Sequence, residues 1–244
     1  MNLEENERLA ELIGIILGDG NLFDNGRHYV LGISLNYVRD AEYVNYVRDL
    51  IKNVFNIEPK LNYRKQSHQV EIRVFRKEVV FALVSKGLKT GDKIRNQIGV
   101  PEWILNNRTY VLACLRGLID TDGSIFLNKH NKIIGINFKN TSIPLITDFK
   151  IMCQKLGIKT SVITRNEKLR KGYKISIQSK NEVAKFLYIL KPKRWIHHFR
   201  DLINILNKYE IKFEDLFKYK REKCLRFYPK KLIHEIKEAF PQFF

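Results

Sequence analysis

Asp19 and Asp122 are the residues of this 244-residue chain best placed for chemistry. Each closes an apolar stretch and is followed by glycine. One copy reads Leu12-Ile13-Gly14-Ile15-Ile16-Leu17-Gly18-Asp19-Gly20, the other Leu115-Arg116-Gly117-Leu118-Ile119-Asp120-Thr121-Asp122-Gly123. The copies share a leading Leu, the first Gly, an Ile in fifth place and the closing Asp-Gly. At the sixth place Asp120 stands against Leu17. An Asp-Gly pair can merely end a buried helix before a turn. Two pairs at the same offset in a strongly basic chain point to a shared task instead.

The stretches 8–18 and 110–121 are apolar on nearly every face, so as helices they must be buried. Gly14 and Gly18, and likewise Gly117 and Thr121, form strips of small residues along which two helix backbones can approach closely. If the two helices pack on each other, Asp19 and Asp122 meet at neighbouring C-termini. A carboxylate is disfavoured at a helix C-terminus, and a second one beside it adds repulsion. A bound divalent cation reverses both effects. Hard oxygen ligands suit Mg²⁺, with waters and phosphate oxygens completing the shell. Two metals flanking a phosphate suit in-line hydrolysis.

The elements that must position these acids repeat. The first half reads as helix 4–17, a turn at Asn21–Asn25, a strand His28–Tyr37 with Leu31, Ile33 and Leu35 inward, and a helix Asp40–Phe55 with Asp40 as N-cap. A hairpin follows, Lys60–Lys65 against Gln69–Phe75, then a helix Glu78–Lys86 ended by Gly87. The basic, glycine-punctuated segment Lys89–Gly99 and Pro101 mark a boundary near residue 100. A short helix Glu102–Leu105 leads into the second apolar helix. Strands Ser124–Lys129 and Ile133–Asn140, helix Ile143–Leu156, strands Thr160–Arg165 and Lys174–Ser179, and helix Asn181–Leu190 repeat the plan. The chain thus divides into residues 1–100, 101–195 and a basic extension 196–244 of two or three helices. That extension interleaves Phe217, Tyr219, Phe227 and Tyr228 with a dense basic run; such a run is more often a solvated face, and a helical DNA-contacting arm is the sharper alternative.

Composition narrows the partner. A hydrophobic share of 44% supplies a normal core, and a formal net charge of +18 calls for a polyanion. No apolar run reaches membrane-span length, and the N-terminus does not read as a signal sequence, which favours nucleic acid over a membrane surface. Cys114, Cys153 and Cys224 are scattered without a C-x-x-C pair, which fits reduced thiols in an intracellular reducing compartment such as a prokaryotic cytoplasm or organelle matrix.

Leu115–Gly123, with its degenerate copy Leu12–Gly20, resembles the motif of the LAGLIDADG homing endonucleases, specifically the monomeric two-motif type. The resemblance covers about residues 5–200. It implies an α+β fold: two pseudo-symmetric αββαββα repeats whose sheets form a DNA-binding saddle, here with a helical C-terminal extension. It also implies a site-specific endonuclease that breaks both DNA strands by metal-dependent phosphodiester hydrolysis, leaves short 3′ overhangs and serves intron homing. Mg²⁺ is the implied cofactor, with Mn²⁺ or Ca²⁺ able to substitute for binding. In the family the last acid of each motif binds metal, which carries over to Asp19 and Asp122, and the preceding carbonyls implicate Gly18 and Thr121. The sixth-place acid is not the main ligand, so Leu17 does not argue against activity. The family often has Gln or Asn after the second strand of each half, where Asn36 and Asn140 fall at matching positions. A basic residue after the last helix of each half points to Lys93 (or Lys89) and Lys193 (or Lys191).

One face of each sheet must cover its helices and the other stays free. On the free faces we expect His28, Ser34, Asn36, Asn62, Arg64, Gln69, Glu71 and Arg73 in the first half. The second half offers Asn128, His130, Asn137, Lys139, Arg165, Lys174, Ser176 and Gln178. Such side chains read base edges in the major groove, while lysines hold phosphate. The alternative on the same scaffold is an RNA maturase that helps its host intron fold. A transcription regulator is a third reading. An intein is not expected, because no splicing-junction residues stand at the chain ends.

Overall fold

The structure is a computed structural model, and it describes residues 1–128, 133–166 and 172–194. Residues 129–132, which include His130, and the extension 196–244 lie outside the described residues.

Two helices form the centre. Helix α1 (Glu7–Asp19) and helix α6 (Arg108–Asp122) are buried over most of their length and, among the described residues, make the most extensive contact between any two elements. The small-residue strips explain how they come so near. A methyl group on Gly14 would run into the Cys114 carbonyl, and one on Gly117 would stand 2.7 Å from the Ile15 backbone nitrogen. A methyl group on Gly18 would strike the Thr121 side chain. Both helices are capped at their N-termini by asparagine: Asn6 accepts from the Leu9 N–H, and Asn107 from the Thr109 and Tyr110 N–H groups.

Each central helix runs directly into a strand. In the first half β1 (Gly20–Asp24), β2 (Tyr29–Asn36), β3 (Lys60–Arg64) and β4 (Gln69–Val74) form an antiparallel sheet in the order β1-β2-β4-β3. Helices α2 (Ala41–Phe55) and α3 (Lys77–Ser85) belong to this half. In the second half β5 (Gly123–Asn128), β6 (Ile133–Asn140), β7 (Thr164–Asn166) and β8 (Gly172–Ile177) repeat the order, with helices α7 (Ile143–Lys155) and α8 (Lys180–Leu190). The fold is α+β with two four-stranded antiparallel sheets, and one continuous apolar core runs through both halves. The short helices α4 (Lys93–Asn96) and α5 (Glu102–Leu105) link them. That link is fastened to α7: the Asp148 carboxylate accepts from the Val100 N–H at 2.7 Å, and the Ser142 hydroxyl donates to the Ile98 carbonyl at 2.7 Å.

Three expectations need correction. The segment Asn21–Asn25 is not simply a turn, because Gly20–Asp24 is strand β1, paired with β2 from Gly20↔Ile33 to Asp24↔Tyr29. Burial alternates along it, but Leu22 is its only large buried side chain and apolar Phe23 beside it is exposed, so the sequence shows no apolar alternation that would reveal a strand. Strand β7 begins at Thr164 rather than 160, although the Ser161 N–H still donates to the Ser176 carbonyl at 2.7 Å. Asp40 precedes α2 as expected, but its side chain makes no cap hydrogen bond and reaches Arg194 instead. Cys114 and Cys153 are buried free thiols.

Candidate active site and nucleic-acid interface

Asp19 and Asp122 are the last residues of α1 and α6, and the close approach of Gly18 to Thr121 brings these helix ends together. Burial raises the pKa of both acids. Asp122 is pushed up to about 6 by burial and then by the charge of Asp19, against the Asn140 hydrogen bond and Lys93, which lower it. Asp19 is raised by burial, against the nearby cations Arg194 and Lys93. A pair of acids held at helix C-termini with the charged form disfavoured is a site that a cation would stabilise.

The structure places Lys93 at this pair. Its ammonium donates to the Leu17 carbonyl at 3.2 Å, contacts the Ile16 carbonyl at 3.4 Å, and makes a short bond to the Gly18 carbonyl. It thus satisfies orphan carbonyls at the end of α1. Burial lowers its pKa, while Asp122 and Asp19 oppose that shift. Lys89 lies apart, with its ammonium 3.5 Å from the Asn96 carbonyl.

In the second half the expected lysine is displaced by its neighbour. The Lys193 ammonium lies over the Tyr46 ring, 5.3 Å from its centre, and Lys191 is exposed. Arg194 takes the inner position: its guanidinium makes a short bond to the Asp120 carbonyl and bonds the Asp40 carboxylate at 2.7 Å. Asp120 and Leu17 occupy the same motif place, so Arg194 on the Asp120 carbonyl mirrors Lys93 on the Leu17 carbonyl. The turn after α8 decides which of two adjacent cations points inward, and spacing alone does not reveal it.

The asparagines also differ from expectation. Asn140 Nδ2 donates to Asp122 Oδ2 at 2.7 Å, while Asn140 Oδ1 accepts from the Ser142 N–H at 2.9 Å. Asn36 is not its counterpart. Gly20 pairs with Ile33 and Gly123 with Phe138, so the residue matching Asn140 is buried Leu35. Asn36 lies one position on, and its Oδ1 accepts from the Val38 and Arg39 N–H groups at 3.1 and 2.9 Å. The two acids therefore stand in unlike surroundings.

Asp120 was not assigned a role from the sequence. It is fully buried, and its carboxylate accepts the Lys193 N–H at 2.8 Å and the Arg194 N–H at 2.9 Å. Burial raises its pKa to about 7, against the lowering by these two bonds.

The donor set fits a hard divalent cation, since two carboxylates converge at the helix ends and burial disfavours their charged forms despite Lys93 and Arg194 nearby. Among the described residues no group of three or more His, Cys, Asp or Glu side chains is gathered for a metal. Around such a cation, water and substrate oxygens would complete the shell, as Mg²⁺ commonly allows. Of the two carbonyls expected to help, that of Gly18 is engaged by Lys93.

The open sheet faces carry most of the expected contact residues. Register puts Lys60, Arg73, Gly32 and Asn21 in one row of the first sheet, Asn62, Glu71 and Ser34 in the next, and Arg64, Gln69 and Asn36 in the third. Glu71 lies between two cations, with Arg64 at 3.2 Å and Arg73 in a short contact. His28 precedes the strand in a turn, its N–H bonded to Asn25 Oδ1 at 2.7 Å. In the second sheet Asn137 and Lys139 share the open face with Lys174, and Gln178 is exposed just beyond β8. Two expectations fail here. Ser176 is buried, its hydroxyl donating to Asn137 Oδ1 at 2.7 Å and its N–H to Ser161 Oγ at 3.0 Å. Arg165 pairs with Tyr173 in the row of Asn140, on the opposite face from Lys174. Asn128 closes β5, and His130 lies outside the described residues. Among the described residues no helix is long and apolar enough to cross a membrane.

Comparison with known proteins agrees with this architecture. Residues 109–191 match the family profile described as a LAGLIDADG-like domain, and residues 9–83 match the WhiA LAGLIDADG-like domain. An uncharacterized protein of Methanocaldococcus jannaschii is 26% identical over 179 residues, covering 71% of this chain and 64% of the relative. The tRNA-splicing ligase RtcB of Pyrococcus furiosus is 25% identical over 215 residues, covering 76% of this chain and 21% of that protein. The match therefore spans less than two thirds of either relative. Among solved structures, I-DmoI in complex with DNA and Mn is similar at TM-score 0.55 and 19% identity, over 75% of this chain and 96% of that one. The homing endonuclease I-WcaI bound to its DNA recognition sequence is similar at 0.57 and 19%, over 79% and 83%. The N-terminal LAGLIDADG domain of WhiA is similar at 0.50 and 17%, over 80% and 89%. At these identities the likeness establishes the fold alone.

Proposed function

The chain belongs to the LAGLIDADG family, and we propose that it is a site-specific, metal-dependent endonuclease that cuts both strands of a long DNA target. The observation that carries this reading is the convergence of Asp19 and Asp122 at the ends of α1 and α6, with Lys93 beside both. A purely binding role has no need for two destabilising acids there. A divalent metal held there, Mg²⁺ in the first instance, would supply Lewis-acid stabilisation of the phosphate and a more acidic bound water.

The protein's own residues do the rest. Asp19 and Asp122 would hold the metal, and Asn140 fixes the orientation of the Asp122 carboxylate. Lys93 and Arg194 place positive charge where negative charge develops on the phosphate. The rows led by Arg73, Glu71 and Gln69 on the first sheet, and Asn137, Lys139 and Lys174 on the second, face DNA in the major groove. The chain acts as a monomer, since both motifs lie within it. Short 3′ overhangs and intron homing follow from the same reading.

A binding protein without cleavage is the second reading, either an intron RNA maturase or a DNA-binding regulator. One observation favours it: the Gly18 carbonyl is engaged by the Lys93 ammonium. The separating experiment is digestion of a plasmid library of random inserts with Mg²⁺. A discrete cut sequence is expected. Tight, salt-sensitive RNA or DNA binding with no cutting across a library of adequate coverage would move the assignment to the binding protein.

A further inference from the structure

We propose that Asp120 is a positioning residue, whose buried carboxylate gathers the Lys193–Arg194 turn onto the end of α6 and thereby sets the Arg194 guanidinium between the halves, on the Asp19 side of the paired acids. This rests on the endonuclease reading and assigns a task to the sixth place of the motif.

The geometry has three parts. First, the Asp120 carboxylate is spent on backbone: one oxygen accepts the Lys193 N–H at 2.8 Å and the other the Arg194 N–H at 2.9 Å. A fully buried carboxylate satisfied by two amides holds a chain segment and is not free for a metal. Second, the guanidinium so delivered spans the halves. It bonds the Asp120 carbonyl on one side and Asp40, at the start of α2, on the other, and it covers the Tyr43 ring at 5.5 Å. Asp40 is 2% exposed and Arg194 13%, so the pair is sheltered from solvent.

Third, the first half explains why Leu17 suffices at the equivalent place. Lys93 is delivered by a segment that anchors itself. Asp92 caps α4 through the Ile94 and Arg95 N–H groups at 2.8 and 3.3 Å. The Gly91 N–H donates to the Leu22 carbonyl at 2.9 Å, and Asn96 Nδ2 donates to the Thr90 carbonyl at 2.8 Å. Arg194 arrives directly after α8, and Asp120 supplies the anchor. Deleting that anchor leaves Lys93 and Asn140 in place, so the harm falls unevenly on the two strand cuts.

The test is a double-mutant cycle of Asp120→Leu, which reproduces the first half, with Arg194→Gln, which keeps the backbone bonds to Asp120. On supercoiled plasmid carrying a selected target, each single variant is expected to accumulate nicked circle, with the second cut slowed about tenfold or more. The double variant is expected to be no slower than the slower single variant, and Arg194→Lys to recover part of the rate. Equal slowing of both strands, or independent, multiplicative effects, would overturn the proposal. The same cycle is read in urea unfolding of metal-free protein, where the expected coupling is about tenfold in the unfolding equilibrium constant. If the parent cuts nothing, the endonuclease reading fails, and the unfolding cycle alone decides the link. Additive effects there overturn it.

Discussion

Asp122 carries the sharpest electrostatic consequence at the residue scale. Its pKa, about 6 in the fold against an ordinary 3.8, means that the folded chain keeps a proton between about pH 4 and 6 that the unfolded chain has released. Stability contributed by that proton is present at low pH and lost as pH rises through 6. Asp122→Asn has no charge to bury and is expected to be more stable than the parent at pH 8 in EDTA, by roughly 1–3 kcal/mol, and so to melt at a higher temperature. The advantage should shrink toward pH 4, and thermal melting across that range checks it. On the first sheet, Arg73 is held by Glu71 and by register on the open face. Arg73→Ala is expected to relax base preference at one position and cost about 1–3 kcal/mol of specific binding. A binding survey of single-base target variants reads this directly.

At the scale of elements, the contact of α1 with α6 sets everything else. Gly117→Ala forces a methyl group against the Glu11 and Gly14 backbone, which cannot yield as a side chain does. It is expected to cost about 2–3 kcal/mol or more in denaturant unfolding. Gly26→Ala meets open space and pays only for its positive φ of 80°, so its loss should be smaller. This contact was legible in the sequence, because Gly14, Gly18, Gly117 and Thr121 recur at helical spacing within apolar runs. Most strands and helices were legible from apolar periodicity, alternate residues in strands and every third or fourth in helices. Strand β1 was hidden because only Leu22 points a large apolar side chain inward. The match of Asn140 with Leu35, rather than Asn36, needed the pairing of each strand with the end of its helix. Arg194 was hidden beside Lys193 because a turn, and not a period, selects between them. Asp120 looked like a motif letter without a task until its partners, more than seventy positions away, came into contact.

At the scale of the whole molecule, the +18 charge and the two open sheet faces make DNA the natural partner under the proposed reading. Affinity is expected to fall by about a thousandfold or more between 50 and 200 mM salt if six or more phosphates are contacted. Titration at several salt concentrations gives the slope. Cleavage under the proposed reading depends on the paired acids Asp19 and Asp122. On a DNA target selected from the library, parent, Asp19→Asn and Asp122→Asn are compared for binding in Ca²⁺ and for cutting in Mg²⁺. All three are expected to bind within a few-fold of one another, and only the parent to cut. Cutting by either variant at a rate near the parent's would contradict that reading, as would a parent that binds the target tightly and never cuts.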